Sequence, residues 1–317
     1  MNTPRFKSIL VVVTDPFARN QAALTKAAAI ARRSGARLSV FNSFMLPQPV
    51  ADVPMGSQDQ IIASATRQRL QRLRELAAGL RLHRPSCVVR WDYPAHEAIV
   101  REVHRSKPDL LVTDSHRRGR LARLLLSNTD WELIRACPCP LWFVRSAALP
   151  KRLQVLVAVD PRHSHAKPAR LDDRLLETAG ALIGTLGGRL AVVHAYEAAA
   201  GATSGMLMEP KRQTGSSARA HEFIADTTRA VGRIAKRHGV DAADCVVQEG
   251  ATRDVIAATV RRRSADLLVM GAVSRSQLAR PVIGSTAEVV IDHVDCDILI
   301  VKPARFKSPV PHSRLKA

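Results

Sequence analysis

A glycine at 271, a serine at 274 and the run Gly284-Ser285-Thr286 punctuate the stretch GAVSRSQLARPVIGST, which follows the apolar run DLLVM and leads into AEVVIDHV. Small residues at a strand-to-helix turn leave backbone N–H groups unhindered beside the positive end of a helix, an arrangement suited to phosphate oxygens. Ser285 and Glu288 also have the spacing of a capping box, so a tight turn before a helix cap is the plainer reading of an isolated glycine pair. Asp160 closes VLVAVD, a second run of strand character. In open parallel sheets the carboxyl ends of strands, where strand order reverses, are where ligands sit.

Other chemistry is poorly supported. There is no P-loop lysine motif, no Gly-x-Ser-x-Gly elbow and no His-Glu-x-x-His pair, so no catalytic constellation is expected. Cys137 and Cys139 in CPCP lack a second ligand pair at zinc-site spacing and read as a proline-punctuated strand entry. His163 and His165 in PRHSHAKP read as a solvated loop, and no metal site is assigned. His194 ends a strand; set against Phe41 of the first half, it reads as a packing residue.

Composition narrows the classes further. The chain has 317 residues, 46% of them apolar and 24% charged, which suits a folded chain of two domains. Its longest apolar runs are too short to span a bilayer or to form a secretory signal, so the expected location is cytoplasmic with no membrane partner. Five cysteines do not suggest a disulfide framework. The net charge is +20, with 23 basic against 11 acidic residues up to residue 150 and 25 against 17 beyond it. That excess attracts nucleic acid only non-specifically, because the arginines fall at helical spacing and aromatic residues for base stacking make up 4%.

The second half of the chain repeats the first. Trp91–Arg145 aligns without a gap on Gln248–Lys302, DLLV at Asp109 matches DLLV at Asp266, and GARLSVFN pairs with GGRLAVVH. Continuous apolar strands alternate with amphipathic helices in each half, which predicts parallel sheets covered on both faces. The expected fold is therefore α/β, two tandem doubly wound, five-stranded parallel-sheet domains of Rossmann-like type. The expected divisions are residues 1–148, 149–304 and a basic, proline-broken tail over 305–317 that is expected to be disordered.

The spacing of Gly271, Ser274 and Gly284-Ser285 resembles the Gly-x2-Gly-x9-Gly-Ser/Thr signature of ATP-binding universal stress proteins. The similarity runs over residues 4 to about 303 in two copies, and the tandem arrangement resembles the two-domain, E-type members. It implies strand order 3-2-1-4-5 in each half and a stress-response regulatory protein, not an enzyme beyond slow incidental ATP hydrolysis. It implies that Val159, Asp160 and Ala195 lie against the adenosine moiety. Met270, Gly271, Ser274, Gly284, Ser285 and Thr286 would then hold ribose and phosphates. The implied ligand is ATP, with AMP or ADP as alternatives and Mg2+ accompanying the nucleotide. The middle glycine is Ser274 here. In the first half the matching positions are Asp114, Arg117 and Ser127-Asn128-Thr129, a loop too bulky and too acidic for that use, with Asp114 expected to pair with the neighbouring arginines. Single-domain relatives pair through their last strands, so LWFV and DILIV are expected to meet in an intramolecular pseudo-dimer. A homodimer and an unidentified protein partner are further expectations. The alternative reading is an interaction or scaffold module that binds no nucleotide and acts through protein partners or another anion.

Overall fold

The computed structural model describes residues 6–45, 55–82, 84–115, 128–161, 170–197, 213–272 and 290–313. In the first half these form β1 (Ser8–Val12), α1 (Ala22–Ser34), β2 (Arg37–Phe44), α2 (Met55–Ala78), β3 (Ser86–Trp91), α3 (Ala95–Ser106), β4 (Leu110–Asp114), α4 (Asn128–Ala136) and β5 (Leu141–Val144). The second half gives β6 (Leu153–Ala158), α5 (Leu171–Leu186), β7 (Gly188–Tyr196), α6 (Gln213–Arg237), β8 (Cys245–Glu249), α7 (Thr252–Arg262), β9 (Leu267–Gly271) and β10 (Asp297–Val301).

The strands are apolar on both sides because both sides are covered. On β1, Ile9 and Val11 face a core built with α1, α2, α5 and α6. Leu10 and Val12 face a second core built with α3, α4 and α7. Local sequence sets where the helices stop. Alanine-rich α1 ends at Gly35, whose φ of +70° supplies the left-handed cap. α5 ends at Gly187, and Gly188 then starts β7 so close to β6 that a Cβ would stand 2.1 Å from the Leu153 carbonyl oxygen.

All ten strands belong to one sheet, in the order β3-β2-β1-β4-β5-β10-β9-β6-β7-β8. Each half reads 3-2-1-4-5 from its outer edge, and the two halves join edge to edge. The joining pair, β5 with β10, is the antiparallel one; it sets Phe143 against Ile298, Trp142 against Leu299 and Leu141 against Ile300. Trp142 and Leu299 are equivalent positions of the repeat, so the pseudo-twofold axis passes between them. The self-complementary pairing of an isologous interface is thereby built into one chain.

One buried carboxylate ties this seam. Asp297, 2% exposed at the start of β10, accepts the Lys26 ammonium of α1 at 2.5 Å and the Trp142 indole N–H at 2.7 Å. It also accepts the backbone N–H of Arg145 at 2.9 Å. Lys26 is 3% exposed, so both charges have left water and each depends on the other. A hydrogen bond from the guanidinium of Arg33 to the Pro150 carbonyl pins the connection between the halves from the same helix.

The tail departs from its expectation up to residue 313; residues 314–317 lie outside the described residues. Phe306 lies under the Lys302 ammonium at 4.7 Å, and Val310 is 8% exposed within the second core. The His312 ring stacks on His104 of α3 at 4.2 Å, and His104 Nε2 lies 3.2 Å from the Val310 carbonyl. The basic, proline-broken segment is held by one buried valine and two ring contacts, which a composition argument averages away.

Removing one partner of a buried pair strands the other, so Asp297→Ala is expected to lower the stability of the chain by about 3–5 kcal/mol in urea unfolding. Asp226→Ala, which breaks the exposed Arg229–Asp226 pair of α6, is expected to cost about 1 kcal/mol or less.

Candidate functional site

In each half the strand order reverses between the first and fourth strands, which are neighbours in the sheet. In the second half these are β6 and β9, aligned with Val155 against Leu267 and Val157 against Val269. Two residues further along, Val159 and Gly271 end level with each other, with Asp160 just beyond. The structure therefore brings Val159, Asp160, Met270 and Gly271 to the same end of two neighbouring strands, and Ala195 lies near the matching end of β7. Ser274, Gly284, Ser285 and Thr286 lie outside the described residues.

The described members take unlike roles. Met270 is 5% exposed with its side chain in the second core, so it offers the crevice backbone rather than thioether. Gly271 and Ala195 are half-buried. Val159 already spends its N–H on the Val193 carbonyl at 3.0 Å. Its carbonyl lies 2.9 Å from His194 Nδ1, leaving one lone pair of the oxygen for another donor. Asp160 is half-buried, and its backbone N–H donates to the Asp172 carboxylate in the first turn of α5 at 3.3 Å.

The strand register corrects the pairing of His194 with Phe41. Val13 N–H donates to the Phe41 carbonyl as Val159 N–H donates to that of Val193, so the counterpart of His194 is Asn42. Asn42 Nδ2 donates to the Val13 carbonyl at 2.7 Å, as the imidazole engages Val159. Both side chains are buried. Two different residue types thus serve one purpose, holding the last carbonyl of the first strand where the ladder leaves it.

The first half shows what happens without the glycine. Asp114 occupies the position of Gly271 at the end of β4, and its Oδ1 accepts the Ala23 N–H in the first turn of α1 at 2.8 Å. A carboxylate at a helix N-terminus satisfies an orphan donor and complements the helix dipole. The arginines expected to pair with Asp114 lie outside the described residues; Ala23 is the partner that the sequence did not reveal. Asn128 is exposed and Thr129 half-buried at the start of α4.

Lys302 was also missed. Its ammonium, 5% exposed, donates at 3.1 Å to the carbonyl of Ala272, the residue that follows Gly271. Burial pulls its pKa from 10.5 down to about 8 against the opposing influence of Cys137. The repeat sets Lys302 opposite Arg145, whose guanidinium reaches the Ile291 carbonyl at 2.6 Å. A cation just past the last strand of both halves was the available signal.

The other candidates assemble no site. Cys137 and Cys139 bring their sulfurs to 3.6 Å of each other. Among the described residues, no group of three or more His, Cys, Asp or Glu is placed to hold a metal ion. His163 and His165 fall outside those residues. No described helix is long and apolar enough to cross a membrane.

Two outcomes follow. His194→Asn is expected to leave stability within about 1 kcal/mol of the parent, whereas His194→Leu leaves a buried carbonyl unpaired and costs about 1–3 kcal/mol in urea unfolding. Between pH 8 and 10.5 the unfolded chain holds a proton on Lys302 that the folded chain has lost, so stability rises with pH across that window. The rise is worth about 3 kcal/mol and is expected to be absent from Lys302→Met, read from paired melts at each pH.

The sequence profile of the universal stress protein family matches residues 5–145 and again 152–302. The chain is similar over its length to Universal stress protein E of Photorhabdus laumondii, with 28% identity over 311 residues that cover 95% of this chain and 96% of that protein. Universal stress protein E of Escherichia coli K12 is 27% identical over 316 residues, with the same coverage of 95% and 96%. Among solved structures, a functionally unknown protein from Pseudomonas aeruginosa PAO1 matches with a TM-score of 0.69 at 23% identity, over 94% of this chain and 93% of that one. A universal stress protein from Archaeoglobus fulgidus matches with a TM-score of 0.56 at 17% identity, over 92% and 98% of the two chains. At such identities the solved structures speak for the fold alone. The profile, matched twice across nearly the whole length, shows that this chain belongs to the universal stress protein family and carries its domain in tandem.

Proposed function

We propose that the chain is a stress-response regulatory protein whose second domain binds an adenine nucleotide, ATP in the first instance, in the crevice between the ends of β6 and β9. The observation that carries this reading is the exchange at one position. Where the first half turns a carboxylate onto its own helix, the second half has Gly271, without a side chain, level with Val159 and beside Asp160. A carboxylate about 4 Å from a phosphate costs on the order of 4 kcal/mol per charge pair at an effective dielectric of 20. Gly271 leaves that repulsion out of the second half.

The described residues suit the group. Val159 and Ala195 offer backbone to an adenine, Asp160 a carboxylate to a ribose hydroxyl or to Mg2+, and Gly271, without a side chain, precedes the sequence segment that contains Ser274, Gly284, Ser285 and Thr286. The nucleotide supplies a polyanionic handle whose presence or hydrolysis alters the surface around the crevice. The protein's part is to bind and orient it, and no catalytic step is assigned to any residue. Asp114 favours a second reading for the first half alone, as a module that binds no nucleotide and serves as a fixed partner for the second.

The test is calorimetric titration of ATP into the full chain, together with mass spectrometry of small molecules released on denaturation. Wild type is expected to bind one ATP per chain. Gly271→Asp and Gly284→Asp are each expected to weaken that binding at least tenfold. If neither wild type nor Asp114→Gly binds an adenine nucleotide, the crevice is a packing feature and the chain acts through its surfaces.

A further inference from the structure

Far from the crevice, at the amino ends of β6 and β7, the second domain holds a cavity of about 250 Å3. The lining on β6 runs from Gln154 to Leu156, so three to five residues at about 3.3 Å each, about 10–17 Å, separate it from Val159 at the crevice. Three guanidinium groups line this cavity: Arg189 at the start of β7, and Arg262 and Arg263 at the carboxyl end of α7. Between them the lining is mixed, with the polar Gln154 beside apolar residues such as Leu156, Leu190, Ala191 and Ala265.

The three arginines are not equally committed. Arg263 is held by the Asp244 carboxylate at 2.8 Å and by the Ala243 carbonyl at 2.9 Å. Arg262 gives Nη2 to two neutral acceptors, Gln248 Oε1 and Thr259 Oγ1, each at 3.2 Å. Arg189 makes no ion pair among the described residues. A guanidinium carries five N–H donors, so Arg189 and Arg262 keep most of theirs for something else. Among the lining residues Asp244 is the one acid against three arginines, an excess of two positive charges. The carboxyl end of α7 opposes an anion with the equivalent of about half a negative charge, too little to cancel that excess. The first half keeps two of the three arginines, Arg37 opposite Arg189 and Arg105 opposite Arg262, but it has Ser106 opposite Arg263, and its Arg105 lies 3.4 Å from the Glu102 carboxylate.

We propose that this cavity is a second, separate anion site, which takes a compact phosphate ester or diphosphate between Arg189 and Arg262, with Arg263 fixed behind them by Asp244. Guanidinium forks match phosphate oxygens in bidentate geometry. A cavity of this volume suits a phosphorylated group with a short body and is small for a full nucleotide.

The probe is inorganic pyrophosphate, titrated calorimetrically into the full chain at physiological salt, where diffuse attraction to a +20 protein is largely screened. The expected result is a saturable site that survives in Gly284→Asp, where the nucleotide loop is blocked. That site is expected to weaken at least tenfold in Arg189→Gln and in Arg262→Gln. Arg229→Gln, which removes an exposed charge elsewhere on the same domain, is expected to leave it unchanged. Arg189 and Arg262 are both exposed, and matched melting curves show that the variants fold. Three results overturn the proposal: no saturable binding, binding lost in Gly284→Asp but kept in both cavity variants, or equal weakening by Arg229→Gln. The last would mean that general charge, not a site, attracts the probe.

Discussion

The pairing of β5 with β10, and the buried Asp297 that secures it, constrain everything else in this molecule. The four apolar residues of β5 and the four of β10 are wholly buried only because each strand closes the other's edge. Unpaired, either would be an exposed apolar edge, a ready template for association. The seam is symmetric in its backbone and asymmetric in its chemistry. Trp142 faces Leu299, and the ammonium of Lys26 crosses from the first half to a carboxylate of the second. A buried ion pair is weak evidence for stability, since two hydrophobic residues of the same shape often do as well. Its effect here is selection of register: Asp297 takes donors from a helix, an indole and a main chain at once, and a slip of one residue would leave all of them in apolar surroundings.

Because β5 and β10 run antiparallel, the carboxyl strand ends of the two halves lie at opposite edges of the one sheet. Duplication then allows the copies to diverge where one must keep an open cleft and the other need not. Two such differences lie in the groups that satisfy the ends of β-strands and helices. At the fourth strand end, Asp114 serves the first turn of α1 from outside; in the second half Asp172, within α5 itself, receives the N–H of Asp160. The two carboxylates serve different donors, and in the second half the strand end that Gly271 occupies carries no side chain. Elsewhere the same need is met by different residues in the same place, as with Asn42 and His194.

Lys302 and the tail link the last strand of the second half to both crevice and partner. The ammonium fixes the carbonyl of Ala272 on one side and caps the Phe306 ring on the other. Beyond it the chain runs to α3 of the first half, where Val310 is buried and the rings of His104 and His312 stack. The second domain therefore holds the first at two places, the seam and the tail, and the start of the candidate loop is anchored by a residue that belongs to the connection between them.

What the sequence determined by itself was whatever depends on local pattern and on the repeat. Continuous apolar runs bounded by amphipathic helices specify covered parallel strands, and the matched DLLV segments specify that the fold occurs twice. Gly271, standing where the first half has Asp114, marks the half with the open position. Those features are written in neighbouring residues or in a constant offset. The tertiary structure decided whatever depends on which polar groups meet after the chain has closed. Lys26 and Asp297 are 271 positions apart, and no periodicity links them. The Ala23 N–H is left without an intrahelical partner wherever α1 starts, but Asp114, 91 positions away, reaches it only in the assembled sheet. The carbonyl of Val159 likewise needs His194 only because β6 leaves its ladder at that residue. A buried donor or acceptor must find a partner, but its identity is a property of three-dimensional proximity, which spacing along the chain does not encode.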